Sequence, residues 1–310
     1  MTPTRNLVLV HSHGWQSIAD FEAIKLHVEA IAPDIEVFII SNEARGSFTR
    51  KKAAARPSLI FSPISLLTFK PDRGKIYCGQ PMSKLAEVQR LAAGGVSVPP
   101  FEEIRPDTVL SVDFYGPLVI RKPSYAFASW GQGVDLMHTE RVRYRDPADF
   151  PKNHPGRKAP MIAQKFIDCG YAMTCRVLTL FGAPLFTYCR QSTKPLELDL
   201  QKTYFEAGDF MPAPPDSIAF STREPDILAL AAAAYEAMPE AALQACDILR
   251  AKTGELYLLE VNPGGGTWMF SSKAAQGYRE RLGVDDLTAE FDAFATCARL
   301  LVERTRTEAV

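Results

Sequence analysis

A chain of 310 residues, 46% hydrophobic and 23% charged, has an ordinary globular composition and suits two or three units of roughly 100 residues better than a single core. Its 35 Lys and Arg against 36 Asp and Glu leave a formal charge of -1, which excludes a global attraction to nucleic acid or to an anionic membrane, so any anion site must be local. The six cysteines show no C-x-x-C pair and lie mostly in apolar patterns, which predicts reduced core thiols and no zinc site; with no signal-peptide run after Met1 and an Ala-rich stretch (228–243) broken by Glu236 and Glu240, the expected location is cytoplasmic.

Residues 6–10, NLVLV, read as a buried parallel strand, followed by a helical period over 17–32 in Ile18, Phe21, Ile24, Leu26, Val28 and Ile31 that Pro33 ends. IEVFII (35–40) and SLIF (58–61) are further strands, and strand, helix, strand in this order predicts an N-terminal α/β unit. Ligands of such sheets lie beyond the carboxyl ends of the strands, here His11 to Gly14 and Ser41 to Glu43; the alternative is a helix start capped by Ser12 or Ser17. The basic run 45–56 has few apolar anchors and almost no aromatic interleaving, so it is expected as a solvated loop rather than a nucleic-acid surface.

In residues 79–100, Ser83 starts a helix that opens with Lys84 and stops at Gly94-Gly95, before an extended Val-Pro exit. In residues 116–134, an apolar strand (Leu118, Val119, Ile120) delivers Lys122, Pro123 stops it, and a loop of small residues ends at Gly131, Gln132 and Gly133. Small residues let backbone N–H groups approach phosphate oxygens and a Lys adds a point charge, although G-x-G alone is as common in ordinary turns. The stretch 139–160 is rich in Pro and charge and should be a surface excursion, and 161–168 (MIAQKFID) begins as an apolar strand. Residues 175–190 read as a hairpin turning at Gly182, Ala183 and Pro184, with Arg176 and Arg190 near its ends, each either a clamp for negative charge or a solvated strand end. A helix over 224–239 and a final amphipathic helix from about Asp285 to Glu303 complete the pattern.

The stretch from Ala245 to Trp268, ACDILRAKTGELYLLEVNPGGGTW, reads as an antiparallel hairpin with a carboxylate in each arm, Asp247 and Glu260, where an apolar residue would be expected. Period 2 points Glu260 and Asn262 the same way, and pairing can bring Asp247 opposite them, forming an all-oxygen set suited to a hard divalent cation. Taken alone, the same residues also fit a surface hairpin with its acids in water. Trp268 either shapes a substrate site or packs beneath the loop.

S-K-L, helix, G-V-S-V-P; strand, K-P, nine residues, G-x-G-V; M-I-A-Q-K-F-I-D; and D-I-L, turn, L-L-E-V-N-P resemble, in order, motifs of the ATP-grasp superfamily, nearest to the carboxylate–amine ligase type of D-alanine:D-alanine ligase and ribosomal-protein glutamate ligase. The resemblance implies an α/β (α+β) fold of three parts: an N-terminal parallel α/β domain (1–105), a small central lid subdomain (106–168) and a C-terminal antiparallel-sheet subdomain with the metal hairpin (169–310). It implies ATP held at its phosphates by Lys84, Lys122 and the loop of Gly131, Gln132 and Gly133. The hinge around Gln164 and Phe166 would hold the adenine through the backbone of Lys165 and Ile167, and Asp168 the ribose. Mg2+ or Mn2+ would sit on Asp247, Glu260 and Asn262, with Arg176, Lys122 and Arg190 at the reacting groups.

The implied activity joins a carboxylate to an amine through an acyl phosphate, releasing ADP and phosphate. A small-molecule phosphotransferase and a non-catalytic nucleotide-binding module are the alternatives. The implied partners are small-molecule or short-peptide carboxylates and amines, with homodimerisation open and neither nucleic acid nor membrane expected. Three departures stand out: Gln164 where many relatives carry Glu, an amide that can still accept from the adenine amino group; the absence of an Asn with paired glycines between 191 and 223; and GGGTW in place of a second Pro.

Overall fold

The computed structural model describes residues 2–43, 51, 55–66, 71–124, 132–211, 216–264 and 267–310. Among these residues three sheets form. β1 (Arg5–His11) lies inside a parallel sheet with β2 (Ile35–Ser41), β3 (Ser58–Phe61) and β4 (Gly74–Tyr77), in the order β2-β1-β3-β4. The almost continuous burial of β1 explains its unbroken apolar run, since both faces of this sheet are covered. β4 was not predicted: GKIY is short and mostly polar, which an edge position tolerates. Helix α1 (Ile18–Ile31) is capped by the Ser17 side chain, which accepts from Ala19 N, as the capping alternative requires. Of its predicted stripe only Phe21, Ile24 and Val28 are buried, while Ile18, Leu26 and Ile31 are exposed.

The second sheet is antiparallel, in the order β5-β8-β6-β7, from β5 (Phe101–Glu103), β6 (Leu118–Pro123), β7 (Asp135–His138) and β8 (Met161–Lys165). Pro123 is the last residue of β6 rather than the first beyond it. Directly paired residues share a face, so Val119, Arg121, Met161 and Ala163 lie on one side and Ile120, Lys122, Ile162 and Gln164 on the other. The first face packs against Ile104, Val142 and Phe150, under the excursion of residues 139–160, which folds as three single 3-10 turns.

The third sheet, order β11-β10-β9-β12-β13, is built from β9 (Tyr171–Leu180), β10 (Ala183–Pro195), β11 (Ser217–Phe220), β12 (Leu243–Arg250) and β13 (Leu256–Asn262). The β9–β10 turn sits at Phe181 and Gly182, both at positive φ. One face of this sheet (Cys175, Val177, Cys189, Cys246, Val261) is apolar and lies beneath α2 (Lys84–Ala93) and α5 (Pro225–Ala237), through Leu91, Ile227, Ala231 and Met238. The short helices α3 (Val112–Tyr115) and α4 (Ala207–Phe210) flank the second sheet.

Two expectations are corrected here. Cys175 and Cys189 are not reduced thiols: they are directly opposed on β9 and β10, Cα atoms 4.0 Å apart, and are joined by a disulfide, whereas the other four cysteines are free. The pairing depends on strand register and leaves no C-x-x-C signature. The predicted final helix begins later than expected: an unpredicted helix, α6 (Ala275–Leu282), comes first, and the expected one is α7 (Ala293–Glu308), starting at Ala293 rather than near Asp285. Gly283 in the left-handed region ends α6, and the Asp286 side chain, accepting from Thr288 N at 2.8 Å, makes the following segment a turn.

α7 returns to pack beside α1, and one core joins Leu7, Phe21, Leu180, Trp268 and Leu301 across the first and third sheets. Trp268 therefore packs rather than lines a site. It is fully buried, stacked 5.5 Å from the Phe21 ring, and its Nε1 donates to Asp20 at 2.6 Å. No helix among the described residues is long and apolar enough to cross a membrane.

Asp20 has a distinct pH signature. Burial raises its pKa and outweighs the lowering by hydrogen bonds from Ser271 and Trp268. The native state thus holds this proton more tightly than the unfolded chain, and stability present below the ordinary carboxylate value is lost as pH rises through the raised pKa. Asp20→Asn keeps an acceptor for Trp268. In urea midpoints measured from about pH 4 to about pH 7, wild type should lose stability relative to this variant as pH rises; a gain would contradict the assignment.

Candidate functional site

β12 and β13 form the predicted hairpin, with Ala251 N donating to Glu255 O at 2.8 Å across a turn that carries Gly254 at φ 104°. Asp247 pairs directly with Glu260 and Ala245 with Asn262, so the three polar side chains share one face, as period 2 predicts. On its other side Asp247 pairs with Arg176 of β9. The guanidinium grips both carboxylate oxygens, Nε to Oδ1 at 2.7 Å and Nη2 to Oδ2 at 2.6 Å.

Glu260 is met from the outer edge. Lys84, the first residue of α2, is only 9% exposed, and its Nζ lies 3.2 Å from Glu260 Oε2 and 3.6 Å from Glu87 Oε2. Burial would strip this ammonium of its proton, but Glu260 and Glu87 outweigh it and raise its pKa. For Glu260, burial pushes the pKa up, while Lys84 and Lys122 together hold it below the ordinary carboxylate range. Lys122 is pushed down by its own burial and by Lys84, against the attraction of Glu260. Asn262 bridges the two acids, its Nδ2 3.3 Å from Glu260 Oε1 and 3.4 Å from Asp247 Oδ2.

The water-facing alternatives do not hold for Lys84 and Asp247, which are buried, whereas Arg176 stays about a third exposed while gripping Asp247. Glu87, missed in the sequence, is central to the reason. It is 2% exposed and its Oε1 accepts from Val261 N at 2.7 Å, satisfying the outer edge of β13, and burial together with Glu260 raises its pKa to about 7 despite Lys84. Its signal was legible: Lys84, Glu87, Val88 and Leu91 fall at i, i+3, i+4 and i+7 and are the buried stripe of α2. The Ser124 side chain at the end of β6 accepts from Leu85 N at 2.8 Å, tying the strand that carries Lys122 to the helix that carries Lys84.

On the face of the second sheet that carries Lys122, Gln164 is buried and its Nε2 has no hydrogen-bond partner. The amide thus presents a donor where an acceptor was anticipated; either end of an amide can serve a nucleobase edge. Lys165 N is engaged by Pro100 O at 2.7 Å and its Nζ by Phe114 O at 3.2 Å. Phe166 packs with Leu118 and Phe205, and Ile167 is buried. Asp168 accepts from Gly170 N at 2.8 Å and pairs with Lys252 in the β12–β13 turn; these contacts lower its pKa against the effect of burial. Gln132 and Gly133 form a turn, Gly133 at φ 71°, while Gly131 lies outside the described residues.

Arg190 lies on the same face as Arg176 and donates to Ser217 Oγ at 3.1 Å. α6 adds two residues that sequence reasoning missed: the Tyr278 ring is 4.6 Å from that of Tyr188, and Arg281 donates to Tyr188 Oη at 3.5 Å. The Leu-Gly stop at 282–283 was the available signal for this helix.

Beyond Asn262 the chain meets the carboxyl end of the parallel sheet. Gln80 N donates to Pro263 O at 2.7 Å, and a Cβ on Gly264 (φ 114°) would lie 2.8 Å from Pro63 O and closer still to Gly79 Cα. At that sheet end Ser12 donates to Glu43 at 2.8 Å, while His11 Nδ1, Gln16 Nε2 and Asn42 Oδ1 are buried without partners. Gly265 and Gly266 lie outside the described residues.

Among the described residues no group of three or more His, Cys, Asp or Glu is spaced to hold a metal ion. The set on this face is two carboxylates and an amide. The two carboxylates suit a divalent cation that takes its remaining ligands from water and phosphate, and Asn262, whose Nδ2 lies between the acids, would add an oxygen donor once its amide turned over.

The sequence matches no protein-family model and no curated protein. The structure is similar to D-cycloserine synthetase DcsG, with a TM-score of 0.53 and 15% identity over 97% of this chain and 99% of that chain. It is similar to ATP-grasp ligase PsnB complexed with a minimal precursor, TM-score 0.53 and 13% identity over 98% and 100%. It is also similar to macrocyclase MdnC bound with precursor peptide MdnA from Microcystis aeruginosa MRC, TM-score 0.53 and 12% identity over 96% and 99%. The chain has the ATP-grasp fold.

The backbone contact at Gly264 makes a direct prediction. Gly264→Ala forces a Cβ into the 63–79 backbone at a φ that L residues rarely adopt, and should lower stability by about 1–3 kcal/mol in denaturant titrations. An unchanged midpoint would show that the loop packs differently.

Proposed function

We propose that this protein is an ATP-dependent ligase that joins a carboxylate to an amine through an acyl phosphate, releasing ADP and phosphate. The observation that carries this reading is the balanced charge face on which Asp247, Glu260 and Asn262 meet Arg176, Lys84 and Lys122. A structural ion-pair network alone does not call for a second lysine, the half-buried Lys122, set near Lys84 and the same acids. Nor does it explain the unpartnered donor of Gln164 on the same sheet face.

In this reading the adenine lies against Gln164 and the backbone of Lys165 to Ile167, with Phe166 backing it, and the ribose lies near Asp168. Lys84, Lys122 and the segment of Gly131, Gln132 and Gly133 hold the phosphates. Mg2+ or Mn2+ on Asp247, Glu260 and Asn262, when bound, neutralises the charge of the transferring phosphoryl group. Arg176 and Arg190 orient the carboxylate and its acyl phosphate, and the unpaired atoms of His11, Gln16 and Asn42 offer a polar wall for the second substrate. Amine attack on the acyl carbon expels phosphate and leaves the amide. PsnB and MdnC were solved with precursor peptides, and DcsG is a synthetase by name, which supports peptide or small-molecule substrates here.

Glu260→Ala and Asp247→Asn should each reduce ADP release by at least about 100-fold while circular dichroism stays that of wild type. Near-wild-type turnover in both variants would falsify the assignment of this face. In a screen of carboxylate and amine pairs, ADP release should require both substrates, and hydroxylamine should trap the acyl phosphate. A stable phosphorylated product formed without amine would identify a phosphotransferase instead.

A further inference from the structure

The segment 139–160 concentrates positive charge: six Lys and Arg (Arg141, Arg143, Arg145, Lys152, Arg157, Lys158) against Glu140, Asp146 and Asp149, in a chain whose formal charge is -1. It folds over one face of the second sheet and borders a solvent-open cleft of about 330 Å³, on whose rim Arg143 and Arg145 are exposed and whose lining also includes Glu103. Four arginines line this cleft, Arg105, Arg121, Arg143 and Arg145, with Phe150 and Pro147 among its apolar walls. Arg105 pairs with Glu103, and Arg121 with Asp135, both at 2.6 Å. Among the described residues Arg143 and Arg145 have no carboxylate partner. Arg143 donates to the carbonyls of Glu140 and Val142, each at 2.7 Å, and Arg145 donates to Asp149 O while its guanidinium stacks 4.8 Å from the centre of the Phe150 ring.

This cleft is not part of the charge face described above. Arg121 and Lys122 are consecutive on β6 and point to opposite sides of the sheet, Lys122 with Gln164 and Arg121 with Ala163 and the cleft. Its volume suits a small molecule and is too small for a nucleic-acid strand or a protein surface. A guanidinium has five donors, so backbone carbonyls leave Arg143 and Arg145 with N–H groups to spare, and fork geometry matches carboxylate and phosphate oxygens.

We infer that this cleft is a second ligand site, on the back of the lid sheet, that takes a small multivalent oxyanion, a di- or tricarboxylate or a phosphate ester, read by Arg143 and Arg145. The site does not depend on the ligase reading, because it shares no side chain with the nucleotide face.

The test is calorimetric titration of the full chain, in magnesium-free buffer of low ionic strength, with citrate as the carboxylate probe and inorganic pyrophosphate as the phosphate probe. Saturable binding at one site per chain is expected for at least one probe, and the preferred probe distinguishes the two sources of oxyanion. Arg143→Gln and the double variant Arg143→Gln/Arg145→Gln should weaken binding at least about tenfold, with the unfolding midpoint of the single variant matching wild type. Lys122→Ala, which disables the nucleotide face, should leave it intact. The inference is overturned by absence of saturable binding in wild type, by equal binding in the arginine variants, or by loss of binding in Lys122→Ala, which would place the anion in the nucleotide cleft. Failure of ADP release in the ligase assays with binding intact would count against the ligase reading and leave this site standing.

Discussion

Two carboxylates set directly opposite each other on neighbouring strands repel, and the architecture around Asp247 and Glu260 is organised by that repulsion. At a separation of a few ångströms in a partly desolvated site, like charges cost several kcal/mol unless cations stand beside them. The neighbouring strand β9 supplies Arg176, the covering helix α2 supplies Lys84, and β6 of a different sheet supplies Lys122. The third sheet, its helix layer and the second sheet must therefore be positioned together before the site is electrically balanced. Removing any one partner leaves a charge uncompensated, a larger penalty than the pair itself contributes.

α2 is where these demands converge. Leu91 and Val88 anchor it on the apolar face of the third sheet, Glu87 closes the open edge of β13 by accepting from Val261 N, and Lys84 reaches over that edge to Glu260. Edge strands expose unpaired backbone groups, and the usual remedies are charge, brevity or a covering loop. Here the remedy is a buried glutamate that also contacts Lys84 of the charge face, so edge protection and the electrostatics of that face rest on one side chain. The Ser124 side chain, accepting from Leu85 N, then links this helix to β6 and keeps the two lysines within reach of the same carboxylate.

What could be read in the sequence follows from the range of the forces involved. The Asp247–Glu260–Asn262 face, the Ser83 start of α2 and the placing of Lys122 at the end of an apolar strand depend on periods of 2 and 3.6 and on a cap, all contained within about ten residues. The presence of the strands β1, β2 and β3 followed from the same local patterns, whereas their order in the sheet and the edge strand β4 did not. The features that escaped need tertiary context. The Cys175–Cys189 bond depends on the β9–β10 register, the burial of Trp268 on α1 and α7 arriving from opposite ends of the chain, and the Arg281 contact on α6 folding back over β10. Glu87 is the exception: its helical position is visible locally, but glutamate is normally solvated, so nothing in the pattern marks it for burial.

Satisfied and unsatisfied groups divide the molecule in a way that bears on where ligands belong. At the centre of the charge face each acid has its cation and Asn262 bridges the two. At the two ends the situation reverses: Gln164 Nε2 lies buried and unpaired on the second sheet, and His11 Nδ1, Gln16 Nε2 and Asn42 Oδ1 do so at the carboxyl end of the first. Each such atom costs roughly 1–3 kcal/mol relative to a hydrogen-bonded one, and buried atoms without partners also occur away from these ends, at Thr179, Gln244 and Ser272. A bound molecule that supplies an acceptor at Gln164 and mixed donors and acceptors at His11 to Asn42 removes that cost at both ends. In the reading proposed above, the nucleotide would lie at one of these ends and the second substrate at the other.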